Sequence, residues 1–186
     1  MSSEDRRVPS SSQTVGPYFR IGLEYLIDRM AEITPGSESP VEIRGKVLDR
    51  DGAPVPDAML EFWNAGGEMA APPEPQGHGI PDRFRRVRTA SDGSFTVTIA
   101  RPVAGRLEDG SSQAPHATVL VFARGLQRHL ITRVYLEDEA ANDTDPVLLS
   151  VPDDRRGTLT ARHDSAGIYW WNVILQGAEE TVFFAW

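Results

Sequence analysis

Apolar and polar residues alternate along most of the chain after residue 40, a period of two that is typical of half-buried β-strands. Apolar side chains recur at even spacing in 41–47, and the alternation resumes in 58–62 after a turn at Asp51–Gly52. Two alternating runs around a glycine-containing turn predict a hairpin or two neighbouring strands.

Further strands follow from the same pattern. Residues 117–123 are apolar at nearly every position, which predicts a central strand that is buried on both faces. A short helical turn is predicted at 137–142, and loop at 143–157. The other predicted strands are 84–89, 94–99, 130–136, 167–175 and 181–186.

Irregular segments separate the strands. Residues 64–83 are rich in Pro and Gly, and 101–115 form a second long loop; loops of this length are usually functional or disordered. Residues 1–12 read as a polar tail, and the more apolar stretch 13–31 as an arm. The pattern therefore predicts one all-β domain over 13–186, an antiparallel β-sandwich with long loops and an N-terminal arm.

Composition excludes several classes of function. The 186 residues carry a formal charge of −8, with Lys46 as the only lysine, which argues against a nucleic-acid partner. There is no cysteine, so disulfides, thiolate metal sites and cysteine nucleophiles are excluded. No apolar run approaches about 18 residues, and residues 1–12 have no signal-peptide core. We expect a cytoplasmic protein that neither spans a membrane nor binds one.

The sequence has no recognisable phosphate-binding loop and no HExxH motif. No two of its four histidines have the spacing that places a pair of imidazoles on one metal ion. They are His78, His116, His129 and His163.

Three features each allow two interpretations. The acidic run 137–139 is either a solvated surface or, through Glu137 and Glu139, an acid–base pair. The apolar C-terminus TVFFAW is either a core strand or a subunit contact. Arg133 is either an arginine paired with a surface carboxylate or a functional side chain.

Several segments, weak individually but specific in their order and spacing, resemble the alpha chains of the protocatechuate 3,4-dioxygenases, within the intradiol ring-cleavage family. The resemblance covers the chain from about residue 10 onward. The segments are SQTVGPYF (12–19), GKVLDRDGAPVPDAMLEFWNA (45–65), TASDGSFT (89–96), APHATVLVFARGL (114–126), HLITRVYLEDEA (129–140) and QGAEETVFF (176–184).

This resemblance implies a β-sandwich that takes part in intradiol ring cleavage, with Fe(III) held by two tyrosines and two histidines of a homologous beta chain. The family's His-x-His strand motif matches His116 and Thr118 here, and no tyrosine lies between residues 26 and 134. We therefore expect the iron to lie in the partner and this chain to hold no metal of its own.

The resemblance also implies what this chain adds. A Thr-x-Gly-Pro segment and a strand arginine reach toward the partner's iron in the family, and they match Thr14, Gly16, Pro17 and Arg133. No residue of this chain is expected to be catalytic, and these four are expected to contact the substrate. The implied reaction converts protocatechuate and O2 to 3-carboxy-cis,cis-muconate in a larger alpha–beta oligomer.

Two other hypotheses remain from the sequence. One is a non-catalytic β-sandwich that acts as a binding or carrier module. The other is a single-chain iron dioxygenase, which the missing tyrosines oppose.

Overall fold

The computed structural model describes Thr14 and residues 21–25, 39–64 and 83–185. Within these residues the chain is built on a sheet of nine strands and a separate two-stranded hairpin. The sheet contains β1 (Pro40–Leu48), β2 (Met59–Asn64), β3 (Phe84–Arg88), β4 (Ser94–Ala100), β7 (His116–Phe122), β8 (Leu130–Leu136), β9 (Thr160–His163), β10 (Ile168–Trp170) and β11 (Val173–Ile174); the hairpin is β5 (Gly105–Arg106) with β6 (Ser112–Gln113).

The sheet is mixed. Its order is β11-β1-β10-β9-β8-β7-β2-β3, with β4 paired to β1. The all-β class is confirmed, but the expected antiparallel arrangement is not strict, since β1–β10, β1–β11 and β8–β9 are parallel. A tight turn can join only antiparallel strands, whereas the chain between β8 and β9 makes a helical excursion and returns in the direction of β8.

The main core lies between the two halves of the bent sheet. Alternate residues of β1 and β4 meet those of β2 and β7, and the Phe62 ring lies 6.2 Å from Phe95 and 6.5 Å from Trp171. Each such side chain contributes about 1.5–3 kcal/mol when it is fully buried. Packing in this core therefore fixes one face of β7 and β8.

A second, smaller cluster covers the opposite face of β7 and β8. It contains Ala114, Tyr135, Leu148, Val151 and Leu159, with Val182 and Phe184 packed against it. The segment predicted as loop, 143–157, instead carries two short helices, α1 (Pro146–Ser150) and α2 (Asp153–Arg156). Asp145 caps α1 and Pro146 begins it, a combination that favours helix initiation.

The C-terminal segment lies along the edge of β8 without forming the expected strand. The Phe184 amide donates to the Ile131 carbonyl, and the Thr132 hydroxyl donates to the Val182 carbonyl at 2.7 Å. Phe183 packs on the main core and Phe184 on the second cluster, which agrees with a core role for this segment. Trp186 lies outside the described residues.

Of the N-terminal arm, the structure describes Thr14 and a helical turn at 21–25, where Glu24 pairs with Arg88 of β3. The predicted tail 1–12 and most of the loop 64–83 lie outside the described residues. In the described part of the chain, no helix is long and apolar enough to cross a membrane.

Candidate functional site

Four polar side chains share the outer face of β7 and β8, the face turned away from the main core. His116 lies opposite Tyr135 in the ladder, and Thr118 lies opposite Arg133. Residues two apart in a strand point the same way, so the four side chains form one group. Arg133, predicted as a site residue, therefore lies across from Thr118, the position that the resemblance matches to a second histidine.

Arg133 is buried, with 5% of its surface exposed. Its Nη1 donates to Gln113 Oε1 at 2.8 Å and to Tyr135 Oη at 3.2 Å. Its Cζ lies 6.0 Å from the centre of the Phe184 ring, within the range of a cation–π contact. The guanidinium is thus buried and bonded to Gln113 and Tyr135 inside the chain, rather than lying at the surface as the interpretation of a surface-paired arginine expects.

Tyr135 links this guanidinium to a buried carboxylate. Its hydroxyl donates to Asp145 Oδ1 at 3.1 Å while it accepts from Arg133. Burial raises the pKa of Tyr135 far above its usual value, although the positive charge of Arg133 opposes the shift. The phenol thus stays protonated and remains a donor to Asp145.

Asp145 is almost completely enclosed, with 1% of its surface exposed. Its Oδ2 accepts from the Ala114 amide at 2.8 Å, and its Oδ1 accepts from the Leu148 amide at 2.7 Å. These two amide donors and the Tyr135 hydroxyl satisfy a carboxylate that would otherwise be costly to bury. Asp145 therefore anchors the pocket, meaning the buried side chains around Arg133, to α1 and to the residues just before β7.

His116 forms the other side of the group. Its Nδ1 lies 2.8 Å from the Ala114 carbonyl, which can only accept, so Nδ1 carries the proton. The ring packs on Tyr135 with centroids 5.3 Å apart. Burial is the main cause that lowers the pKa of His116 to about 4, and the positive charge of Arg133 is the second. The imidazole is thus neutral at pH 7.

These residues do not fit the Fe(III) set of two phenolates and two imidazoles that the resemblance implies for the family. The two motif positions supply one imidazole and the hydroxyl of Thr118. The Tyr135 hydroxyl is engaged by both Arg133 and Asp145, and a fixed cation lies beside it. Across the described ranges, no group of three or more His, Asp or Glu residues could hold a metal ion.

Among the other predicted site residues, the structure describes Thr14, and its contact lies away from Arg133. Thr14 is exposed, and its Oγ1 accepts from the Gly125 amide at 3.0 Å, in the turn between β7 and β8. Arg133 lies three residues inside β8, about 10 Å along the strand from where it begins. Gly16 and Pro17 lie outside the described residues.

The acidic run at the end of β8 serves as a structural tie. Asp138 and Glu139 both accept from Arg101 Nη2, at 2.8 and 3.0 Å, and Tyr169 donates to Asp138. Glu137 accepts from the His163 amide instead. The side chains of Glu137 and Glu139 have different partners, which does not support an acid–base pair.

Sequence reasoning missed Gln113, Tyr135, Asp145 and Phe184 as members of the pocket. Tyr135 could have been found, because it is two residues from Arg133 on a predicted strand. Asp145 precedes a proline and three apolar residues, which is a helix-start signal. Nothing local marks Gln113 or Phe184, since both reach Arg133 only through tertiary packing.

Comparison with known families gives one model, described as Dioxygenase, that matches residues 16–177. The chain is similar to the protocatechuate 3,4-dioxygenase alpha chain of Burkholderia cepacia, with 40% identity over 93% of this chain and 95% of that protein. It is also similar to the protein of the same name from Pseudomonas putida, with 34% identity over 93% and 94% of the two chains.

Solved structures show the same fold. The dioxygenase domain of a dioxygenase carbohydrate-binding fusion from Streptomyces sp. SirexAA-E matches with a TM-score of 0.55 and 26% identity, covering 78% of this chain and 86% of that chain. A hydroxyquinol 1,2-dioxygenase from Pseudomonas putida DLL-E4 matches with a TM-score of 0.56 and 20% identity, covering 76% of this chain and 57% of that chain, and this shows the fold alone.

Proposed function

Because the chain belongs to the intradiol ring-cleaving dioxygenase family, we propose that it is the alpha-type subunit of a protocatechuate 3,4-dioxygenase. A homologous beta-type partner would hold the Fe(III) and carry out the oxygen chemistry on the bound catechol. The assembly would cleave protocatechuate with O2 to 3-carboxy-cis,cis-muconate, in a larger alpha–beta oligomer in the cytoplasm.

The observation that carries this proposal is the donor set around His116. A chain that aligns with alpha chains over 93% of its length has one imidazole and one threonine at the two motif positions, with a buried guanidinium opposite the threonine. Fe(III) favours hard anionic oxygen donors, and the one phenol in this pocket is protonated and engaged. The same donor set opposes a single-chain iron dioxygenase.

We propose that Thr14, Gly16, Pro17 and Arg133 form this chain's share of the substrate site. Thr14 is tied to Gly125, which fixes the start of the arm on the β7–β8 turn. Protocatechuate has a carboxylate and two ionisable hydroxyls, so its bound form is anionic. Arg133 is hydrogen-bonded to Gln113 and Tyr135 of its own chain. It would act on the substrate's negative charge as a fixed cation in a poorly solvated wall of the substrate site.

Reconstitution tests this function. The chain and an iron-loaded beta-type partner are purified separately and together, and O2 uptake that depends on protocatechuate is followed with the visible absorbance of tyrosinate-bound iron. We expect colour only where the partner is present and full activity only in the mixture. Stoichiometric iron with that absorbance in the isolated chain, or a partner whose activity is unchanged by this chain, would refute the proposal.

A further inference from the structure

We propose that the guanidinium of Arg133 occupies the place that a metal ion would need between β7 and β8, so that this chain carries a permanent organic cation which excludes a metal. The inference goes beyond the proposed function, because it concerns this chain's own pocket and holds whichever substrate the assembly cleaves.

The ladder register places the guanidinium among the side chains that could serve as donors. Positions 116 and 118 of β7 share a face, and side chains two apart on a strand can approach one ion together. Tyr135 and Arg133 stand directly opposite them. With its proton on Nδ1, His116 has its free lone pair on Nε2, the arrangement in which histidines bind metals.

The pocket is built to hold a positive charge. The guanidinium donates to Gln113 and to Tyr135, and the Tyr135 hydroxyl passes the interaction to the buried Asp145 carboxylate. A buried cation is stable only when it is paired and hydrogen-bonded. Phe184 adds its ring face, and the C-terminal segment that carries it is fixed to β8 by the bond from its amide to Ile131.

A second cation does not fit beside this one. At a separation of 4 Å and an effective dielectric of about 20, repulsion between two unit charges weakens binding on the order of a thousandfold, and a divalent ion suffers more. The missing histidine at 118 is therefore only part of the reason that a metal is excluded, and restoring it alone would not create a site.

The test places a histidine at 118 in the full chain, purified in its native assembly with any resident iron in place. The amount of Co²⁺ that binds in addition to this iron is then measured by the visible absorption of the bound Co²⁺. Thr118→His alone should bind no more Co²⁺ than the native chain. Thr118→His with Arg133→Met should bind it at least about tenfold more tightly. The double variant Thr118→His with Arg133→Lys keeps the positive charge but loses the planar guanidinium and its several N–H donors. It should behave like Thr118→His alone.

Two results would overturn the proposal. Equal Co²⁺ binding by the Thr118→His chain with and without Arg133 would show that the guanidinium does not exclude the ion. No gain in the Met-containing double variant, once its unfolding transition shows that it is folded, would show that the pocket is not an ion position.

A second measurement keeps the proposal falsifiable if the histidine variants do not fold. Arg133→Met and Asp145→Asn are compared singly and together by Tm, since Asn still caps a helix. If Tyr135 couples the charge of Arg133 to that of Asp145, the Tm of the double variant should fall by less than the sum of the two single decreases. Additive losses would overturn the proposal.

Discussion

Thr118 and Arg133 face each other across the β7–β8 ladder, on the side of the sheet turned away from the main core. The guanidinium at this position is bonded to Gln113 and Tyr135 and is covered by Phe184. The outer face of the sheet thus holds a buried positive charge at the place where we propose that a metal ion would otherwise fit.

Tyr135→Phe should lower the free energy of unfolding by about 1–3 kcal/mol. The change keeps the ring and removes the hydroxyl, which leaves a buried donor of Arg133 and a buried acceptor of Asp145 each short of a partner. Urea unfolding of the native assembly measures the loss. Tyr169→Phe is the matched control, because its partners Asp138 and Arg101 are partly exposed and regain water, so it should cost less. Equal losses in the two variants would contradict the role of the Tyr135 hydroxyl.

Gly45→Ala should prevent normal folding. A Cβ at this position of β1 would lie 1.7 Å from the Trp171 carbonyl oxygen, so the strand could not keep its pairing with the 168–174 segment. We expect a loss of more than about 4 kcal/mol, or insoluble protein. Gly157→Ala is the control, since nothing lies within 4 Å of its added Cβ and its φ is −58°. It should change stability by less than about 0.5 kcal/mol. A Gly45→Ala chain that is as soluble and stable as this control would argue against the close approach.

The strands that hold this pocket could be predicted from sequence, because β7 and β8 are seven-residue segments made mostly of apolar and β-branched residues. The short strands β9 and β11 have too few residues to show a period, so β9 was missed. The parallel pairs could not be predicted either, since they depend on where a long excursion returns. Among site residues, the pattern does not show that Arg133 is buried. Its partner Gln113 lies 20 positions away along the chain, and Asp145, to which it is linked through Tyr135, lies 12 positions away.

Stability should fall as the pH drops from about 6.5 to about 4, in part because of His116. Its pKa is lowered in the folded chain, so the unfolded chain binds the proton first and stability rises with pH through this window. The full difference corresponds to roughly 3 kcal/mol. Unfolding by urea at several pH values, with His116→Asn compared to the native chain, measures the slope. The variant should lose that part of the slope, while the exposed control His129→Asn should keep it; an unchanged slope in His116→Asn would assign the pH dependence to other groups.

Arg133→Ala should lower kcat/KM for protocatechuate by about tenfold or more. If the proposed function holds, the guanidinium acts through space on an anionic substrate bound at the partner. At an effective dielectric of about 20 and a separation on the order of 10 Å, a unit charge contributes about 1.7 kcal/mol. We expect iron content and assembly to stay intact in this variant, and both are measured alongside the kinetics.

Arg133→Lys separates the charge from the geometry. Lysine keeps the positive charge, but its single ammonium is not a planar fork and would not reproduce both bonds, to Gln113 and to Tyr135. It should therefore recover part of the lost kcat/KM, whereas the uncharged Arg133→Met should recover none although it fills similar space. Steady-state kinetics on assemblies matched for iron decide the matter. Native kinetics in all three variants would mean that Arg133 serves only the pocket of its own chain and that its proposed action on the substrate charge is wrong.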